Sequence, residues 1–161
     1  MIIIGNYFPN AQASIVGDPS VYENITWITT PISQVDLDVA NLTKVKTDRI
    51  IELSASARQV IVNGFHSSAL GSDYVYDSAP EDQLNLVGVV ASGADTYFSC
   101  RDPNTLTKTY ILHTISQLHQ VIADGKDIKL AVLQKFTAKQ AAILACTTES
   151  QVNVITWVST P

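Results

Sequence analysis

Cysteine is nearly absent: Cys100 and Cys146 are too few and too far apart for a disulfide framework or a zinc-ligand spacing. Both are expected to be buried free thiols, as a reducing cytosol during synthesis would leave them. Charge is also scarce, at 16% of residues, against about 25% in typical soluble domains. Basic residues are the scarcer sign, with 10 Lys and Arg against 15 acids and a net charge of −5. That balance excludes broad nucleic-acid binding, which needs clustered cations to displace counterions. No apolar run approaches the ~20 residues of a membrane-spanning helix. The start, MIIIGNYF, lacks a basic region and a small-residue cleavage site, so no signal peptide is expected. The glycines are dispersed and form neither a P-loop nor a dinucleotide-binding fingerprint.

What replaces the missing charge is Ser, Thr, Asn and Gln, which keep a surface wet without repelling a neighbouring subunit. Charged residues are likewise depleted where interfaces are buried. With 46% hydrophobic residues in 161, the chain can bury a core without metal or disulfide staples. Charge is also unevenly placed. Residues 1–43 hold Asp18, Glu23, Asp36 and Asp38 but no Lys or Arg, whereas the remainder is close to balance.

The first 35 residues read as short strands and turns. Ile2–Ile4 and Ser14–Val16 are β-prone runs, Phe8-Pro9-Asn10 and Gly17-Asp18-Pro19 are turn signals, and Ile25–Thr30 alternates with the period of a half-buried strand. Ser33 with Asp36 fits a capping box opening a helix that Asn63-Gly64 stops. Leu37, Val45, Ile51, Leu53, Val60 and Ile61 are its expected inward residues, with Lys44, Arg49, Glu52 and Arg58 outside. Residues 65–77 read as a loop or small hairpin. Ser78-Ala79-Pro80-Glu81 is a second capping box, leading into a helix over 83–95 with Leu84, Val87, Val90, Ala91 and Ala94 inward. Gly88 and Gly93 within it suggest close packing contacts. Asp102-Pro103-Asn104 between two strand-like runs predicts a β-hairpin. Thr114 can cap a helix that Asp124-Gly125 ends or bends, a further helix runs over 128–146, and a short one over 150–157.

The fold class expected is α+β: a small N-terminal β segment, then a mainly helical domain with one β-hairpin. The expected boundaries are a β-rich docking segment over 1–36 and a helical domain over 37–161.

The candidate chemistry is thin. His113 and His119 stand six apart, which on a helix places them on roughly opposite faces and off any shared metal. Cys146 lies in the apolar run AAILAC, and Cys100 and Arg101, as strand neighbours, point to opposite faces. Asp73, Asp77, Glu81 and Asp82 lack the calcium-loop pattern. No catalytic residue, cofactor or metal is expected. Aromatic residues in loops and edges are read as interface anchors: Tyr7, Phe8, Tyr22, Trp27, Tyr74 and Tyr76.

One order of short signals stands out. A Lys/Arg-bearing helix runs into Asn63-Gly64-Phe65, then Ser68-Ala69-Leu70-Gly71 and Tyr76-Asp77-Ser78. Asp82-Gln83-Leu84-Asn85-Leu86, Arg101-Asp102 and His113-Thr114 with Gln117 and Val121 follow, and Ile155-Thr156-Trp157 ends the series. In this order they resemble an uncharacterised domain found in bacteriophage tail-fibre and other tail-associated proteins, over residues from about 44 to 157. The resemblance implies a virion structural role with no catalytic residues. It implies other phage tail proteins as partners and a homo-oligomer, a trimer being common among fibre-related proteins. Nucleic acid and membrane are not expected partners. The implied location is the virion tail, after assembly in the host cytoplasm, and the length suits a tail or baseplate adaptor. The alternative reading is a tail-fibre assembly chaperone that is not retained in the virion.

Overall fold

The computed structural model describes residues 13–15, 25–27 and 31–158. The strands and turns expected over residues 2–10 and 17–19 lie outside them. Strand β1 (Ala13–Ile15) pairs antiparallel with β2 (Ile25–Trp27) in the register Ala13↔Trp27. The alternation over Ile25–Trp27 is therefore a strand, as its period indicated.

Helix α1 (Gln34–Val62) starts at the expected cap. Ser33 Oγ accepts the Asp36 N–H at 3.1 Å and donates to the Asp36 carboxylate at 2.7 Å. Gly64 stops the helix with φ +101°, and a Cβ there would lie 2.5 Å from the Tyr76 carbonyl oxygen. Among the expected inward residues, Leu37 and Leu53 are buried, joined by Ala40 and Ala57. Ile51 is exposed, a correction that follows from geometry: two residues before Leu53 is about 200° around the helix. Lys44 and Arg49 are half-buried rather than fully outside.

Strands β3 (Phe65–Ser67) and β4 (Tyr74–Tyr76) form the small hairpin, and helix α2 (Pro80–Ser92) follows. Its cap sits one residue later than the sequence suggested. Ala79 occupies the cap position, Pro80 follows, and the Asp82 carboxylate accepts the Ala79 N–H at 3.1 Å. Gly93 is the left-handed C-cap (φ +68°), so its role is backbone conformation. Gly88 faces open space, and neither glycine makes the expected close contact. Strands β5 (Thr96–Arg101) and β6 (Lys108–His113) form the expected hairpin. The sheet is antiparallel in the order β3-β4-β5-β6, so two hairpins, not one, build it.

Helix α3 (Ile115–Ala145) runs unbroken through Asp124-Gly125, where the sequence suggested an end or bend. Thr114 caps it reciprocally: Thr114 Oγ1 accepts the Gln117 N–H, and Gln117 Oε1 accepts the Thr114 N–H. Gly125 exists for packing, because a Cβ there would lie 2.8 Å from Phe65 Cζ. Helix α4 (Glu149–Asn153) is shorter than expected and leaves Trp157 outside it.

The chain packs as two compact units, and α1 and α3 each contribute to both. The first holds the described residues up to Glu52 together with Gln140–Thr156, and so includes the described part of the 1–36 segment. Leu37, Ala40, Ile143 and Val152 are buried in it, and Lys46 Nζ donates to the Leu144 carbonyl at 2.8 Å. The second holds Leu53–Lys139 with Trp157 and Val158. Its core is Phe65, Tyr76, Leu86, Cys100, Leu118 and Val121, where α2 and α3 cover the sheet. The class is α+β with a mainly helical part.

Candidate protein-interaction surface

The sheet of the second unit has a dry face and an exposed one, and the alternation of β5 and β6 decides which residues occupy each. Cross-strand partners share a face. Phe98 opposite Ile111 and Cys100 point toward the core, with His113 beside them, and Thr109, opposite Cys100, is exposed at the edge. Tyr97 opposite Leu112, Ser99 opposite Tyr110, and Arg101 opposite Lys108 make the other face. Tyr97 is 66% exposed, Tyr110 70% and Leu112 54%. Large apolar groups clustered in this way mark interaction surfaces more often than isolated ones do.

On the core side, polar groups are consumed by structure. His113 is fully buried, and its Nδ1 lies 2.8 Å from the Ile111 carbonyl, which can only accept, so Nδ1 carries a hydrogen. In the neutral ring Nε2 then accepts from the Tyr76 hydroxyl, 2.8 Å away. Burial pushes the Tyr76 phenol above its ordinary value, and burial likewise raises the Cys100 thiol, partly offset by a hydrogen bond with Thr109. The rings of Phe65, Tyr76 and Phe98 stack in sequence, with His113 edge-on to Tyr76 and Phe98. These four rings form an aromatic floor beneath the sheet.

The exposed face is anchored at one end by charge. Asp77 lies 2.5 Å from Arg101 Nη2 and 2.8 Å from Lys108 Nζ. The Lys108 hydrogen bond, with Arg101 close by, lowers the Asp77 carboxyl below its ordinary range despite some burial. The same hydrogen bond raises Lys108. A groove of about 550 Å³ opens between α2 and this hairpin, lined by Leu84, Asn85, Gly88, Val89, Phe98, Ser99 and Tyr110. Of the residues expected inward, Val90 packs against the core, whereas Leu84, Val87, Ala91 and Ala94 are exposed, and Leu86 and Val89 face the core in their place.

The aromatic residues read as anchors fare differently. Tyr7, Phe8 and Tyr22 lie outside the described residues. Trp27 has its backbone in β2. Tyr74 is half-buried and packs against the core of the second unit. Tyr76 is fully buried, so its reading as a surface anchor is corrected: it belongs to the core. The residues that do form an exposed apolar face, Tyr97, Tyr110 and Leu112, were missed. Their strands carry large groups on both faces, so the period alone does not say which side meets water.

Three of the four carboxylates that lack the calcium-loop pattern have partners in the fold, and the fourth, Glu81, lies in the first turn of α2. Asp73 lies 2.7 Å from His66 Nδ1, Asp77 holds the two cations, and Asp82 caps α2. His119 is exposed on α3, and His113 is buried at the end of β6. Cys146 is half-buried rather than buried. Among the described residues no group of three metal-ligating side chains occurs, and no helix is long and apolar enough to cross a membrane. Compared with known proteins, the chain matches no family model, and neither the curated proteins nor the solved structures yield a match.

Proposed function

We propose that this chain is a structural protein of a bacteriophage virion, an accessory component of the tail, baseplate or tail fibre that binds other tail subunits. The observation that carries a binding role is the exposed apolar face of Tyr97, Tyr110 and Leu112 beside the α2 groove. A surface with little charge and a rigid aromatic floor suits permanent contact better than turnover. The tail itself is named by the order of sequence signals from Lys44 to Trp157. The test is mass spectrometry of purified virions, together with virions made with the Tyr97→Ser/Leu112→Ser double variant. The chain is expected in stoichiometric amount in wild-type particles and depleted in the variant, with the variant's circular dichroism unchanged. Absence from wild-type particles overturns the reading. Presence during assembly with absence from the finished particle identifies an assembly chaperone instead.

A further inference from the structure

The sheet ends on two unlike edges. β3 offers three residues, with the polar His66–Asp73 pair at its hairpin. β6 offers six residues in an unbroken register, without proline or bulge and with one charge, Lys108. Natural sheets guard edges of that length, because a row of unpaired N–H and C=O groups is a template for another strand. Among the described residues, no strand pairs with the outer side of β6.

Which backbone groups face outward follows from the hairpin. The Asp102 N–H donates to the Thr107 carbonyl at 3.3 Å, so 102 with 107, and every second pair after it, are the hydrogen-bonded pairs. The backbone groups of Lys108, Tyr110 and Leu112 therefore point to the free edge. We propose that β6 pairs antiparallel with β6 of a second copy of this chain, Tyr110 opposite Tyr110 across a two-fold axis, joining the two sheets into one. The inference rests on the binding role proposed for this hairpin and names the partner at its edge.

The register is determined by the same geometry. An antiparallel copy must set outward-facing residues opposite one another, which excludes any one-residue slip and keeps the two exposed faces continuous. Centring on Tyr110 aligns three such pairs: Lys108 with the copy's Leu112, Tyr110 with Tyr110, and Leu112 with the copy's Lys108. Centring on Thr109 or Ile111 leaves two. On one side the Leu106 N–H is already held by the Asp102 carbonyl, and on the other the Thr114 N–H is held by Gln117. Centring on Tyr110 also keeps the two Lys108 side chains about 13 Å apart along the strands, at ~3.3 Å per residue, beyond the screening length of ~8–10 Å. The interface is isologous and closes on itself, as a two-fold dimer requires.

The experiment is light scattering on the full chain after size exclusion, with two variants. The wild-type chain is expected to be a dimer. Tyr110→Lys sets like charges opposite each other and is expected to weaken association by about tenfold or more. Its circular dichroism should not change, because the side chain is exposed. Tyr110→Cys, in a Cys146→Ser background, is expected to form a disulfide dimer on mild oxidation, since paired positions of this kind sit ~5.5 Å apart, within disulfide reach. Lys108→Cys in the same background should not cross-link. A monomeric or trimeric wild-type chain overturns the proposal. So does a dimer that Tyr110→Lys leaves intact and Tyr110→Cys does not link. Either result leaves the virion role standing, because that is read from the particle.

Discussion

Gly125 and Gly88 sit inside regular helices, and what surrounds them predicts opposite effects for one substitution. At Gly125 an added methyl meets the Phe65 ring at 2.8 Å, and Phe65 is itself held in the core. Gly125→Ala should gain about 1 kcal/mol of helix propensity and lose more, about 1–3 kcal/mol, to overpacking. At Gly88 nothing lies within 4 Å, so Gly88→Ala should stabilise by about 1 kcal/mol. Urea unfolding of both variants checks the pair, and equal signs would refute the packing assignment. The sequence suggested a close contact at Gly88 and an end or bend at Gly125. Phe65 is 60 residues from Gly125, and no local pattern records that approach.

Caps were the most legible elements, because a cap is chemistry between residues three apart. Ser33 and Thr114 both cap as read, and Thr114→Ala should cost about 1 kcal/mol by thermal or urea unfolding. At α2 the reading slipped by one residue, since Pro80 and the two acids Glu81 and Asp82 satisfy either frame. The inward stripe of α2 was misplaced except at Val90, for a related reason. Leu84 with Val87 and Leu86 with Val89 and Val90 are both apolar sets at helical spacing, and only the sheet chooses between them. The ion pairs on the sheet add a pH dependence. Asp77 is lowered in the folded state, so its contribution is complete above the ordinary carboxylate value, about 4, and fades as pH falls through its lowered value. Lys108 is raised, so its share persists below its ordinary value, about 10, and fades as pH rises through the raised one. Asp77→Asn should remove about 1 kcal/mol or less at neutral pH, these groups being partly exposed. It should also flatten the acid limb of a stability–pH profile.

Over the whole molecule, the two thiols are probes of different motions. Cys100 is 1% exposed on the core face of β5 and its thiol is raised by burial, whereas Cys146 is half-buried near the end of α3. Alkylation of native protein should label Cys146 first, and Cys100 at a rate that follows global unfolding. Peptide mass spectrometry reads the two separately, and rapid native labelling of Cys100 would contradict the packing described for the second unit.

By itself the sequence determined the kind of molecule this is. Helix and strand periods, caps and turn residues are local, and they sufficed for an α+β chain with its long first helix and its β5–β6 hairpin. Which apolar faces are covered was decided only in the tertiary structure. β5, β6 and α2 each carry large groups on more than one side, and burial of one set against Leu118, Val121 and Phe65 leaves Tyr97, Tyr110, Leu112 and Leu84 facing outward. The physical reason is that the hydrophobic effect is non-directional: it rewards burying either face, and only the placement of neighbours distant in sequence makes the choice.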